Sequence, residues 1–368
     1  MIKLDKNVIN KLHMKDDSRE VKFRYDILNY NEIKIGELTP VPKGRLGLNS
    51  LAQIKRTGSF NFRENELKEV DWLNDRVQPF FMLKMGNEWL EWSLGVFLIS
   101  SPRRNVKNNA IYREVECYDT SLILLEDKFD DRYRIPAGTN YVEAVTRIIN
   151  EAGIWKINIS PVVGSIKTDK EFEIGTSRLE AVNELLKEIN YTSIWVDETG
   201  CFTSKPYILP TYRAIEYEYR NDDMSIILPE TAIEEMDLFN IPNKWVVVAT
   251  NPETEPLVSR YTNDNAGSPT STVGRKGKRN IVDHREENDI LDQKTLDEYV
   301  RRIAYEASQV YTKFIFETAI MPHHSYMDSL FCEHTGLGIS NKYIETSWQI
   351  DLKAGGKMQH SARRVIQI

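Results

Sequence analysis

A chain of 368 residues, 41% hydrophobic and 28% charged, is long enough for two or three packed units and lies outside the disordered, collagenous and coiled-coil ranges of composition. With 48 basic against 55 acidic residues and a formal charge of -7, it lacks the broad basic face with which a protein grips nucleic acid. No run reaches the roughly 18 consecutive apolar residues of a membrane helix, and the opening MIKLDKNVIN lacks the apolar core of a signal peptide, so synthesis in the cytoplasm is expected.

Residues 1–118 read as a first β domain. Short runs of β-formers are punctuated by turn residues, and apolar and polar residues alternate over 58–63. Residues 79–92 predict a hairpin whose turn is Met85-Gly86-Asn87-Glu88. The following strand is expected to run on from Ser93 to Ile99 and to stop at Ser101-Pro102, with alternation resuming over 111–118.

The period then changes, and residues 119–212 read as a small α/β unit. Tyr141, Val145, Ile148 and Ile149 recur at helical spacing, with Asn140 and Glu143 at capping-box separation and Gly153 as the stop. A second helix opens at Ser177-Arg178-Leu179-Glu180 and buries Leu179, Val182, Leu185, Leu186 and Ile189. Residues 193–204 then give a hairpin around Asp197-Glu198-Thr199-Gly200.

Residues 213–368 predict a second β domain containing a buried strand at 245–249. A polar segment, 262–287, reads as a long exposed loop because it offers too little apolar surface for a core. A helix is expected over 296–316, with Leu296, Val300, Ile303, Ala307, Val310, Tyr311 and Phe314 packed on a sheet, and a closing hairpin over 343–368. The fold class expected is α+β, mainly β, with two tube-like β-barrel domains flanking the α/β unit.

Motifs of catalysis are missing: the sequence holds no G-x-S-x-G elbow, no H-E-x-x-H pair and no G-x-G-x-x-G fingerprint. Gly277-Lys278 is not a phosphate loop, since Thr272 stands at the first glycine's position and Arg279 where magnesium needs Ser or Thr. Arg275, Lys276, Lys278 and Arg279 read as a solvated loop or a subunit contact. Cys117, Cys201 and Cys332 are odd in number and far apart, which predicts reduced and mostly packed thiols. His323, His324, Asp328, Cys332 and His334 concentrate metal-ligand types without completing a four-ligand pattern, so histidines on a loop and Cys332 in a core strand are expected instead of a metal site. Asp130 with Asp131, Asp222 with Asp223, and Glu234 with Glu235 could serve a hydrolase of the cell wall. Phe80, Phe81, Trp89, Trp92 and Phe97 could stack on host sugar. Solvated surface and core or subunit interface are the expected roles of these two sets, and no catalytic, cofactor-binding or metal-binding residue is nominated.

The order of parts resembles the tail-hub proteins of phages, namely the late-control-D-like family of contractile tails and the amino-terminal hub region of tail-associated proteins. Three features carry the resemblance: Trp92-Ser93-Leu94-Gly95-Val96-Phe97-Leu98-Ile99-Ser100-Ser101-Pro102; the helix, aromatic strand and glycine turn of 177–206; and the order of strand 244–249, polar loop, helix 296–316 and terminal strands ending on 361–368. The resemblance implies a homotrimer whose two tube-like domains per subunit build a pseudo-sixfold ring, with the α/β unit outside. It further implies contact with the tail tube or distal tail protein, the tape-measure protein and a spike or fibre. A channel would pass DNA without specific binding, and neither enzymatic activity, a cofactor nor membrane insertion is expected.

Overall fold

The computed structural model describes residues 1–366 apart from 14–18, 40, 42, 64–69, 222–226, 237–238, 252–253, 276–278, 289, 291 and 310–311. The chain opens with helix α1 (Lys6–His13), followed by β1 (Val21–Leu28), β2 (Lys34–Leu38), β3 (Arg45–Asn49), β4 (Arg56–Arg63), β5 (Arg76–Met85), β6 (Glu88–Ser93), β7 (Phe97–Lys107) and β8 (Ala110–Asp119). The β5–β6 hairpin turns at Gly86-Asn87 as its sequence predicts. The strand after it does not run through from Ser93 to Ile99. Gly95, at φ +134°, breaks it, and the ring of Phe97 lies where a side chain on residue 95 would project. Nor does β7 stop at Ser101-Pro102. It crosses them at a register shift between Ser100 and Arg103, the kind of bulge that tolerates a residue without an N–H.

The middle unit comprises α2 (Ser121–Glu126), β9 (Tyr133–Ile135), α3 (Tyr141–Glu151), β10 (Ile157–Ile159), β11 (Lys170–Phe172), α4 (Arg178–Glu188), β12 (Trp195–Val196) and β13 (Phe202–Ser204). Asn140 caps α3 by accepting from the N–H groups of Val142 and Glu143, and Ser177 caps α4 by accepting from that of Glu180. Val145, Ile148, Ile149, Val182, Leu185 and Leu186 meet in one core, where each buried side chain of this size contributes about 1.5–3 kcal/mol.

The remainder comprises β14 (Tyr217–Arg220), β15 (Ile233–Met236), β16 (Lys244–Asn251), β17 (Thr254–Thr262), β18 (Val282–Asn288), α5 (Gln293–Gln309), β19 (Thr312–Ala319), β20 (Ser329–His334), β21 (Ile339–Asp351) and β22 (Lys357–Arg364). Helix α5 ends at Gln309, short of the expected 316. From Thr312 burial alternates strictly, so Phe314 and Phe316 face a core as strand residues. Val310 and Tyr311 lie outside the described residues. The polar segment 262–287 is partly ordered: β18 pairs in parallel with β16, and Asn263 donates to Ser268 Oγ and accepts the N–H of Thr272 through its carbonyl. Strands β17-β16-β18 and α5 form a small α/β layer of their own around Trp245, Val247, Leu296 and Val300, inserted between β15 and β19.

The sequence predicts two closed barrels. Among the described residues fourteen strands of the first and last thirds instead join in one open sheet, β15-β19-β22-β21-β3-β4-β8-β7-β5-β1-β2 with β6, β14 and β20 attached to it. The decisive pairing is β3 with β21, from Asn49 opposite Ser347 to Arg45 opposite Asp351. Through it the first and last thirds of the chain share one core, in which Phe60, Phe81 and Phe97 belong with Phe314, Phe316 and Trp348.

Candidate functional site

The sequence scatters its chemistry-bearing residues, and the fold gathers only some of them. Phe81 and Phe97 are core residues, whereas Phe80 lies under the guanidinium of Arg24 at 4.4 Å and Trp89 under the ammonium of Lys22 at 4.0 Å. The five aromatics therefore form no common sugar-binding face. Asp130 and Asp131 are exposed, Glu234 and Glu235 lie on the edge strand β15, and Asp222 and Asp223 fall outside the described residues. Of the basic cluster, Lys276 and Lys278 also fall outside them. Arg275 donates to the Ile241 carbonyl, and Arg279 covers the Phe239 ring.

Of the five candidate metal-ligand residues, the fold separates two and draws the other three into a polar island inside the shared core. Cys332 is buried in β20, and His334 accepts the N–H of Leu337 at a tight turn. His324, by contrast, meets partners remote in sequence. Its Nδ1 lies 2.5 Å from Glu345 Oε2 and 3.3 Å from Asp328 Oδ2, while its Nε2 lies 2.5 Å from the Tyr219 hydroxyl. His360 approaches the other Glu345 oxygen with Nδ1 at 2.6 Å and Thr318 Oγ1 with Nε2 at 2.8 Å. Asp328 also meets the Met1 amino group at 2.7 Å. Neither nitrogen of His323 has a hydrogen-bond partner among the described residues, and its ring packs between Tyr217 and His324.

Local backbone geometry explains why Glu345 points inward. Alternation would bury every second residue of β21, yet Tyr343, Ile344, Glu345 and Thr346 are all buried. A register shift against β22 between Glu345 and Ser347 inserts Thr346 as an extra residue. Neither this bulge nor the partnership of residues 324, 345 and 360 has a signature in the sequence.

The island is strongly polarised. Burial opposes charge on His324, but the adjacent Glu345 and Asp328 outweigh it and raise its pKa to about 9. Burial likewise opposes charge on Glu345, and His324 and His360 overcome it, holding the carboxylate below its ordinary range. Burial dominates at His360 and His323, lowering both and favouring neutral rings. These groups are sealed from solvent, with side-chain exposures of 0–1% for His324, Asp328, Glu345 and His360.

A second feature lies on the solvent side of the same sheet. An open groove crosses β8, β4, β3, β21, β22 and β19 and presents Thr57, Ser59, Gln349, Gln359 and Ser361 together with charged Arg45, Glu116 and Lys313. It is a polar face continuous across both β segments.

Three solved structures share this architecture over almost their whole length. The tail protein from Neisseria meningitidis MC58 superposes with a TM-score of 0.66 at 10% identity, covering 93% of this chain and 97% of that one. The 43 kDa tail protein of prophage MuSo2 from Shewanella oneidensis gives 0.65 at 11% identity, over 93% and 98%. The chain has a phage tail-protein fold. The prophage tail protein gp18 from Listeria monocytogenes EGD-e extends the likeness, with a TM-score of 0.57 at 12% identity over 92% and 94%. No protein-family model and no curated sequence matches the chain. The tail-protein fold is thus recognised by shape, at identities where side chains are almost wholly exchanged.

Proposed function

We propose that the chain is a structural subunit of a tail hub, working by assembly and without catalysis. In this reading three copies close a ring of pseudo-sixfold symmetry, each contributing two tube-like β segments. The ring joins the tail tube or distal tail protein to a spike or fibre, contacts the tape-measure protein, and resides in the virion at the tail tip or baseplate.

The observation that carries the proposal is the polar face built jointly by the first and last thirds of the chain, in a fold shared with tail proteins. The groove mixes the uncharged Thr57, Ser59 and Ser361 with acidic Glu116 and basic Arg45 and Lys313, so it offers no uniformly basic strip to grip phosphate, which suits a wall past which DNA slides. A closed ring also satisfies the heterologous contacts that a single open sheet offers at its free edges.

Native mass spectrometry of the purified chain, alone and with a tail-tube or distal tail protein, tests the reading. A trimer is expected. A strict monomer at high concentration with that partner present overturns it, and lysis of purified bacterial walls by the isolated chain would favour the hydrolase alternative.

A further inference from the structure

We propose that His324, His360 and Glu345 form a binding site for one divalent transition-metal ion, zinc being the ion this donor set fits. The site goes beyond the assembly role above and departs from the sequence reading, which expects no metal here. Two of its three residues, Glu345 and His360, are absent from the cluster visible in the sequence.

The geometry supplies the first argument. Donor atoms of His324, Glu345 and His360 all lie within 4.8 Å of one another, and Asp328 Oδ2 is 3.3 Å from His324 Nδ1. Both imidazoles turn the same nitrogen, Nδ1, towards the one carboxylate of Glu345. Two imidazole nitrogens with the two oxygens of the Glu345 carboxylate make a donor set for a borderline ion, while Asp328, held by the Met1 amino group and the Ser325 N–H, flanks it from outside.

Charge supplies the second. Buried Glu345 requires a countercharge, and the ion would take over that compensation from the proton His324 shares with it, Asp328 being paired already with the Met1 amino group. The third is the outer shell. With Nδ1 engaged, the remaining nitrogen of each ring carries the proton and donates to a hydroxyl, that of Tyr219 for His324 and that of Thr318 for His360. Such partners fix the tautomer and orientation of a metal-binding histidine.

Binding is an exchange of protons for the ion. Both Nδ1 protons leave, and the nitrogen-to-oxygen separations widen from hydrogen-bond length to about 3.3 Å, the span of two ligands on a tetrahedral zinc. Complete burial leaves no position for substrate, so the ion would tie β21, β22 and the segment before β20 together.

The test uses the full chain. Elemental analysis by mass spectrometry after purification without chelator is expected to find close to one zinc per chain. Protein unfolded in guanidinium and refolded with zinc is expected to melt higher than protein refolded with EDTA. Refolding with cobalt should give the visible absorption of a four-coordinate ion. Tyr219→Phe, which leaves every ligand in place, should weaken zinc affinity by about 10–100-fold, measured by competition with a chromophoric chelator. Glu345→Gln should abolish stoichiometric zinc. Should that variant fail to fold, the wild-type comparison decides alone: metal below a tenth of an equivalent after refolding with zinc, with equal melting in zinc and EDTA, overturns the proposal and leaves a network held by protons.

Discussion

His360 Nδ1 stands 2.6 Å from Glu345 Oε1, joining strands β22 and β21 through a carboxylate with no access to solvent. Phe316 stacks on the same imidazole at 4.6 Å. His360→Phe keeps that ring contact but strips one hydrogen bond from a buried anion. A loss of about 1.5–3 kcal/mol is expected, the range for hydrogen bonds to charged groups. Urea unfolding checks it, and an unchanged midpoint would show that Glu345 finds another donor.

A pH dependence should arise from Lys55. Its ammonium is buried, donates to the Ala52 carbonyl, and has its pKa pushed down to about 8 by burial, which the charge of Asp119 opposes. Below that pKa the lysine is protonated in folded and unfolded chains alike, and its burial penalises the fold. Between there and the ordinary lysine value the unfolded chain holds more protons, so this residue's contribution to stability rises with pH. Lys55→Met should therefore melt higher than wild type at neutral pH, with the gap closing as the buffer is taken to about pH 10. Parallel melting curves across that interval would refute the assignment.

Gly95 admits no side chain at low cost. Its φ of +134° is strained for other residues, and an added Cβ would come within 2.8 Å of the Phe97 ring. Gly95→Ala should cost about 1–3 kcal/mol from backbone strain, with the ring clash in addition, seen as a lowered melting temperature.

The polar groove yields a prediction that separates folding from function. Gln349 is exposed on β21 and lines the groove. Gln349→Trp should change stability by no more than about 0.5 kcal/mol, as surface substitutions do. If the groove faces a channel, particles carrying the change should assemble and adsorb yet release DNA poorly. Normal release would move the channel wall elsewhere.

Signals within about ten residues of one another were legible in the sequence. The caps Asn140 and Ser177 and the turns at Gly86 and Gly200 act locally, and each lies where its spacing predicts. The misreadings share a cause. Phe314 fits a helical stripe and a strand equally well, and pairing with β22 selects the strand. Likewise, β18 cannot be told from a loop until β16 supplies its parallel neighbour. The island around His324 was only half visible, because Tyr219, Glu345 and His360 reach it through sheet register, and register leaves no short-range trace.

The bond between β3 and β21 also governs when this molecule can become itself. Arg45 and Asp351 are 306 positions apart, yet adjacent across the seam. A growing chain therefore makes β3 long before its partner exists, and one edge of that strand waits, with its apolar face uncovered, until residues near 350 arrive. Closure over such a separation is slow and exposes the waiting segment to wrong neighbours. Folding of the shared core thus has to await the synthesis of β21, and fragments truncated before β21 should aggregate.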